Sequence, residues 1–566
     1  MANNIGLDFG TTYSVISYLK NITYDDFGRI NKYDLETAQF QEGGNSSCID
    51  SLVAVNARGR EYFGLNARSK MNSCNLTVYK GFKMLLSKSE MDIKERGYKV
   101  PYTPENVTEK YISKMLNNYS TQYLNGGSID KLVVGVPEIW FNDPESVNAR
   151  EKLRDIVQRN EKVKNVQLVS EPALACAYFI DNYKKRNRKK YVGHLLLIDY
   201  GGGTLDIALC KVEDKDTSSE ITVLHRTGVG SNDDGVGFGG VLFLETVIDL
   251  ALDNAGFTCD DIKKNNEYYK CLHDLEGALM GDDGEIEDEF SAAYESFENM
   301  EEPFARVTYN ERNCSITYGM LALAYKNVIH DCLEKNLKKM IDYMGTNEIN
   351  FRINDRDDFK IALVGGFCNF YLTRHQIENT PGIERVSDMD NRYVDDIYNN
   401  RDCEKAIAYG AALVANDIIS IKYTVPYKLS IVDSKKENGQ IVPGDECCVI
   451  IRSKTEMTPG KPEMAKNVDG TDKFFTGNQI PFLRIDYDSG MYTIKRPAIA
   501  LGLPSRNIYK IGFSFDMSST LFFHLIDMGP LNETFDEKNP GKSLEPIRLT
   551  DINGLLGGFS ELKKGE

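Results

Sequence analysis

With 566 residues, 41% of them hydrophobic, the chain is long enough to bury substantial cores and to divide into more than one domain. A formal charge of −17 and an isoelectric point near 5.1 argue against nucleic acid and anionic membrane as partners, because both require clustered positive charge. The twelve cysteines are scattered, with no Cys-x-x-Cys pair and no paired histidine spacing, so free thiols in a reducing cytoplasm are the expectation. A strand begins within the first few residues, leaving no space for a secretion signal, and no apolar run nears the roughly 20 residues of a membrane helix.

In chain order, Ile5-Gly6-Leu7-Asp8-Phe9-Gly10-Thr11-Thr12-Tyr13-Ser14-Val15-Ile16 reads as an apolar strand ending in a carboxylate, a small-residue turn and a second strand. Residues 23–66 alternate short apolar runs with turn residues, as in a small inserted subdomain. Helical periodicity is read over 77–86, a stretch that carries Lys80 and Lys83, and again over 104–124. Lys131 to Pro137 is a buried strand stopped by proline, and a helix is expected at about 144–159. Residues 166–172 form a strand leading into a helix that starts at Glu171-Pro172. The small residues Ala173, Ala175 and Ala177 would let that helix approach the Ala-rich segment 404–416, forming a hinge. The basic run 184–190 is read as a solvated loop.

Leu195-Leu196-Leu197-Ile198-Asp199-Tyr200-Gly201-Gly202-Gly203-Thr204-Leu205-Asp206 repeats the plan of the N-terminus. The two aspartates lie 191 residues apart (199 − 8), too far for a solenoid and suited to two related lobes. Consecutive glycines can turn their N–H groups towards one anion, with a carboxylate at the lip to hold Mg²⁺ or its water; the same residues can also make only a tight hairpin. Gly235-x-Gly237-x-x-Gly240 has the spacing of a dinucleotide fingerprint. It lacks the acidic residue expected about 20 positions on in a second βα unit, and Asp233-Asp234 would repel a pyrophosphate, so that site is rejected. Residues 253–312 read as acidic and helical, and 282–289 as a solvated face without calcium-loop spacing. Lys360 to Gly366 is a strand running into Gly365-Gly366, with a helix from Phe370. From Thr424 onward strands dominate, the clearest being a hairpin around Asp516-Met517-Ser518-Ser519, and a β-sandwich is expected.

The three glycine segments, with Glu171-Pro172-Ala173 and residues 406–412, resemble the nucleotide-binding lobes of the actin/hexokinase superfamily. Val136-Pro137, Phe141-Asn142-Asp143 and residues 169–173 resemble the heat shock protein 70 chaperones in particular, in order over about residues 3–420. The resemblance implies duplicated α/β lobes of the actin-like, ribonuclease H-like type over 1–418, with inserts at about 23–103 and 231–311. A linker at 419–423 and a β-rich substrate-binding-like domain at 424–566 would follow, without the helical lid of that family. It implies an ATPase acting on ATP to give ADP, with Lys83, Glu171, Asp199 and Asp206 catalytic and Asp8 and Asp199 on Mg²⁺. Gly10, Thr11, Thr12, Tyr13, Gly201, Gly202, Gly203, Thr204, Gly239, Gly240, Gly365 and Gly366 would hold nucleotide. Lys83 takes the lysine role if one residue is inserted before it; without that gap the position falls on Phe82. Adenine contacts are not assignable in 294–301, where the chain offers acidic and aromatic residues. Implied partners are unfolded polypeptide, a J-domain co-chaperone and a nucleotide exchange factor, for a cytoplasmic monomer. The three isoleucines of Asp417-Ile418-Ile419-Ser420-Ile421 suggest that the connector docks on the lobes in one nucleotide state. Two alternatives are a small-molecule kinase of the same superfamily and an ATP-gated actin-like scaffold. No Gly-x-x-x-x-Gly-Lys-Ser/Thr loop occurs, which removes a P-loop mechanism.

Overall fold

The computed structural model describes residues 3–548 except 45, 72–75, 89–92, 95–96, 143–146, 215–218, 230–238, 258–265, 280–289, 291, 395–402, 424–426, 439, 453–458, 477–481, 488–489, 495–502, 517–519 and 531–539. The rejected fingerprint glycines Gly235 and Gly237, the acidic run 282–289 and most of the turn at 516–519 lie outside the described residues. The chain divides into two compact units, Met1–Ile421 and Lys422–Glu566.

The first unit is built on two sheets. In one, β1 (Asn4–Phe9) is antiparallel to β2 (Tyr13–Tyr24), which pairs β3 (Ile30–Thr37). On its other side β1 is parallel to β4 (Ile129–Val136), and β4 to β5 (Val163–Ser170). The second sheet has a comparable order. Here β6 (Gly193–Tyr200) is antiparallel to β7 (Leu205–Asp214), β7 to β8 (Ser219–Val229), and β6 is parallel to β9 (Phe359–Val364). The central strands are apolar throughout because both faces are covered, as in other α/β sheets. Residues 419–423, read as a connector, instead form β10 (Ile419–Tyr423), the edge strand beside β8.

Helices pack on both sheets. α1 (Pro104–Tyr123) starts at Thr103, whose hydroxyl accepts from the Asn106 N–H. α2 (Val147–Gln158) begins just beyond residues that lie outside the description. α3 (Glu171–Asn187) is capped by Ser170 with Pro172 in its first turn, a position where a missing N–H costs nothing. Its end corrects the loop reading of the basic run: Lys184, Lys185 and Arg186 form the last helical turn, where cations meet the negative end of the helix dipole, and the chain leaves at Arg188, with φ of 50°. α4 (Gly240–Asn254) and α5 (Asn266–Leu279) precede two further corrections. Residues 303–312, read as helical, belong instead to a hairpin over 303–317, in which Val307, Tyr309, Cys314 and Ile316 are buried with a period of two. Residues 76–80 are likewise a strand, broken by Gly81 at φ +69°, and only Met84–Ser87 make a short 3₁₀ turn. α6 (Ala406–Ala415) crosses α3 so closely that a Cβ on Gly410 would overlap the Leu174 carbonyl, and its Ala408, Ala411 and Ala412 sit against Gly6 of β1.

The second unit is all strand among its described residues. A four-stranded sheet contains β11 (Tyr427–Glu437), β12 (Gln440–Ile451), β13 (Phe482–Tyr487) and β14 (Gly490–Ile494). A second sheet is centred on the hairpin β15 (Asn507–Phe515) and β16 (Leu521–Pro530). Leu429 and Ile431 from the first sheet share one core with Tyr509, Ile511, Phe513, Phe523 and Leu525 from the other. The alternation that identified the hairpin is therefore the alternation between this core and the outer face.

Candidate functional site

The turns after β1 and β6 face each other. A Cβ on Gly202 would lie 2.7 Å from Thr12 Oγ1, and one on Gly203 would lie 2.6 Å from Thr11 Oγ1. Each turn has its own support. The Gly201 N–H donates to the Thr204 carbonyl, closing the glycine turn, while Ser51 donates from Oγ to Gly10 O at 2.7 Å and from its N–H to Thr12 O at 2.8 Å. Ser51 belongs to the inserted subdomain, and no sequence signal distinguished it. Gly365 closes the third side with φ of +82°; a Cβ there would meet Asp199 Oδ1 and the Tyr200 carbonyl. Gly366 opens a short 3₁₀ turn, Gly366–Asn369.

Gly239 and Gly240 sit against this turn in a manner the sequence did not foretell. The Gly240 and Val241 N–H groups donate to the carbonyls of Gly201 and Gly202, at 3.1 and 2.9 Å. The start of α4 is thus fastened to the glycine turn, and the amide of Gly240 is already occupied. Gly239 provides close approach, since a Cβ would collide with Gly202 O.

Beneath the turns lies a buried cluster of charge. Asp8 is the penultimate residue of β1, Asp199 and Asp206 are direct cross-strand partners on β6 and β7, and Glu171 starts α3. Lys83 enters from the residues after Gly81, only 3% exposed, and its Nζ donates to Glu171 Oε1 at 2.6 Å. Phe82 packs in the core against Phe9 and Tyr111 instead. Lys83 Nζ also lies 5.7 Å from the Phe9 ring centroid and 6.0 Å from that of Trp140. Burial, then Glu171, push the Asp8 carboxyl up to about 7, with Lys83 opposing. Burial, then Glu171, raise Asp206 to about 8, and burial with Glu171, Asp206 and Asp8 raises Asp199 well above the ordinary range. Four acidic side chains thus gather around one ammonium, and Asp206 Oδ2 is buried without a hydrogen-bond partner. Carboxylate oxygens are the ligands a hard divalent cation takes, and such a charge would offset the repulsion among these groups.

Thr12 and Tyr13 also line a pocket with Asp50, Ser51, Arg68, Lys80, Tyr269, His273 and Glu276. Arg68 pairs with Asp50 there and lies 5.8 Å from the Tyr13 ring centroid. The residues on α5 were not anticipated, because nothing in their local spacing marks them as lining a cleft. Residues 294–301 are placed elsewhere: Tyr294 packs on Tyr325 and His330, and Glu295 pairs with His375 at 2.8 Å.

Residues 57–272 match the family model described as Hsp70 protein. The match includes Lys83, Glu171, Asp199, Asp206 and the Gly201–Thr204 turn, but not Asp8, Gly10–Tyr13 or Gly365–Gly366. The chaperone protein DnaK of Thermotoga petrophila is 30% identical over 209 residues, 37% of this chain and 30% of the relative. DnaK of Thermosipho africanus is 28% identical over 211 residues, and heat shock 70 kDa protein 2 of Paracoccidioides lutzii is 26% identical over 230 residues. Over this part of its length the chain is similar to the Hsp70/DnaK family. The chain spans about 30% of the length of the DnaK relatives it matches. Its fold is α/β of the actin-like ATPase type, with an additional C-terminal β-rich region. No described helix is long and apolar enough to cross a membrane.

Proposed function

We propose that the chain is an ATPase of the Hsp70 type, in which two related lobes hold ATP and its hydrolysis is coupled to binding of unfolded polypeptide by the β-rich unit. The observation that carries this reading is the convergence of two facing glycine–threonine turns on a buried set of four carboxylates and one lysine. Phosphoryl transfer to water requires positioning and charge stabilisation more than covalent chemistry, and the cluster is suited to both. Thr11, Thr12 and Thr204, with the turn amides not used internally, would bind β- and γ-phosphates. Asp8 and Asp199 would hold Mg²⁺, which when bound would neutralise phosphate charge. Lys83, fixed by Glu171, would meet charge developing on the transferred group. Asp206 Oδ2, unpartnered and buried, would accept a hydrogen bond or the proton from the attacking water, and Glu171 would help to orient that water.

Extended apolar peptide would add to a sheet edge or a loop cleft of the second unit, with pockets selecting side chains. A J-domain protein and a nucleotide exchange factor are the expected partners of such a cycle, in the cytoplasm and with the chain as a monomer. The test is the ATP hydrolysis rate with and without an unfolded polypeptide, beside phosphate transfer to a panel of sugars. Stimulation by the polypeptide supports the chaperone reading; transfer to a sugar, or ATP-dependent pelleting as filaments, overturns it.

A further inference from the structure

Behind the charge cluster lies a second buried pair that the mechanism above does not use. Glu138 follows Pro137 at the end of β4, in the first sheet's lobe, while Arg226 lies on β8 of the second sheet. Their side chains are 2% and 7% exposed, and Arg226 Nη1 lies 2.9 Å from Glu138 Oε1. The backbone N–H of the same Glu138 donates to Asp206 Oδ1 at 3.1 Å in a buried contact. Strand register explains how both fit: Arg226 is opposite Ala208 and Gly228 is opposite Asp206, so small partners leave space for guanidinium and carboxylate. A Cβ at Gly228 would come within 3.3 Å of Asp206 Oδ1.

We propose that Glu138 is a positioning residue for Asp206, with Arg226 as its anchor across the two sheets; this rests on the reading of Asp206 as the group that receives the attacking water. An aspartate side chain has two torsions, and a carboxylate must be held in one rotamer to present a chosen oxygen. The Glu138 amide occupies Oδ1 and leaves Oδ2 as the unpartnered atom. That amide is only as well placed as the segment carrying it, and the Glu138 carboxylate on Arg226 ties that segment to the second sheet, beside the backbone bonds from Trp140 N–H to the Pro137 carbonyl and from Phe141 N–H to the Glu138 carbonyl. A displacement on the order of 1 Å at a reacting group can cost about 10²-fold in rate, so a contact one residue removed from Asp206 can act on turnover without touching nucleotide.

The full chain is tested as Glu138→Gln, Arg226→Met, Arg226→Lys and the double variant Glu138→Gln/Arg226→Met. Steady-state ATP turnover is measured beside the midpoint of thermal unfolding. The expected result is a kcat lowered about 10-fold or more in Glu138→Gln and Arg226→Met, with KM for ATP within about threefold. Arg226→Lys should recover most of the rate, and the double variant should be no slower than the slower single, because both substitutions break one contact. If Arg226→Met does not fold, Glu138→Gln and Arg226→Lys still decide the matter. A kcat within twofold of wild type in Glu138→Gln, or a loss confined to KM, overturns the positioning role alone. Absence of ATP turnover in the wild-type chain overturns it together with the ATPase reading.

Discussion

Lys83 reaches the carboxylates because Gly81 takes a positive φ that turns the chain out of its strand, and Met84 then packs under Gly203. Lys80, three residues earlier, stays on the strand and lines the neighbouring pocket. Lys83→Ala should therefore lower ATP turnover by roughly 10²-fold or more, the scale of losing one preorganised charge-stabilising group, while Lys80→Ala stays within a few-fold; rates under saturating Mg-ATP check this. Equal effects would reverse the assignment. The resemblance favours Lys83 if one residue is inserted before it and falls on Phe82 without that gap; in the structure Lys83 reaches Glu171, while Phe82 packs on Phe9 and Tyr111. The placement of Asp8 and Asp199 on two strand–turn–strand units was legible, because an apolar run, a carboxylate and a small-residue turn follow one another twice in the chain. Ser51, Glu138 and Arg226 were not, because each acts through a partner distant in the chain.

A second residue-scale expectation concerns Arg392, fully buried with Asp390 and donating to the Phe351 and Glu384 carbonyls. Burial raises the Asp390 carboxyl, but hydrogen bonds and charge from Arg392 outweigh it and hold the group below its usual range. A depressed folded value means that the contribution is complete above the unfolded carboxylate value of about 3.9 and is lost as pH falls through the folded one. Arg392→Met should cost about 3–5 kcal/mol at pH 7 by leaving a buried charge unpaired, and should flatten the acid loss below about pH 4. Urea midpoints at the two pH values measure both effects.

Among the elements, α3 and α6 carry the closest crossing, and Gly410 makes it possible. Gly410→Ala would force the helices apart and should destabilise the first unit by about 1–3 kcal/mol, the usual cost of overpacking, despite the better helix propensity of alanine. A stabilised variant in thermal denaturation would contradict the crossing. Strands and the small-residue helices were readable from period and composition. The exceptions have physical reasons. The hairpin at 303–317 has only two inward residues in clear alternation on each strand, Val307 and Tyr309, then Cys314 and Ile316, too short a run to stand out beside the acidic stretch before it, and the basic run 184–187 continues a helix because cations favour a helix C-terminus. Residues 419–423 read as a connector because they are short and lie between composition classes, yet Ile419 is buried in a strand beside β8.

At the scale of the whole molecule, the proposed cycle requires that nucleotide and peptide influence each other. Such coupling is reciprocal, so ATP should change peptide affinity by the factor by which peptide changes ATP affinity. Fluorescence anisotropy of a labelled apolar peptide, with ATP, with ADP and for Ile419→Asp, should give different affinities for the two nucleotides and a lost difference in the variant. Equal affinity in all three would leave an ATPase carrying an uncoupled β-rich unit.

The central claim is that the buried cluster hydrolyses ATP, and the single tryptophan of the chain, Trp140, lies beside Lys83 as an intrinsic reporter of binding there. The most direct measurement is single-turnover hydrolysis of Mg-ATP by wild type, Glu171→Ala and Asp199→Ala, with Trp140 fluorescence recording binding in the same samples. The account predicts a binding signal in all three and a hydrolysis rate lowered roughly 10²–10³-fold in both variants. Rates within threefold of wild type in both variants, or no hydrolysis by the wild type, would contradict it.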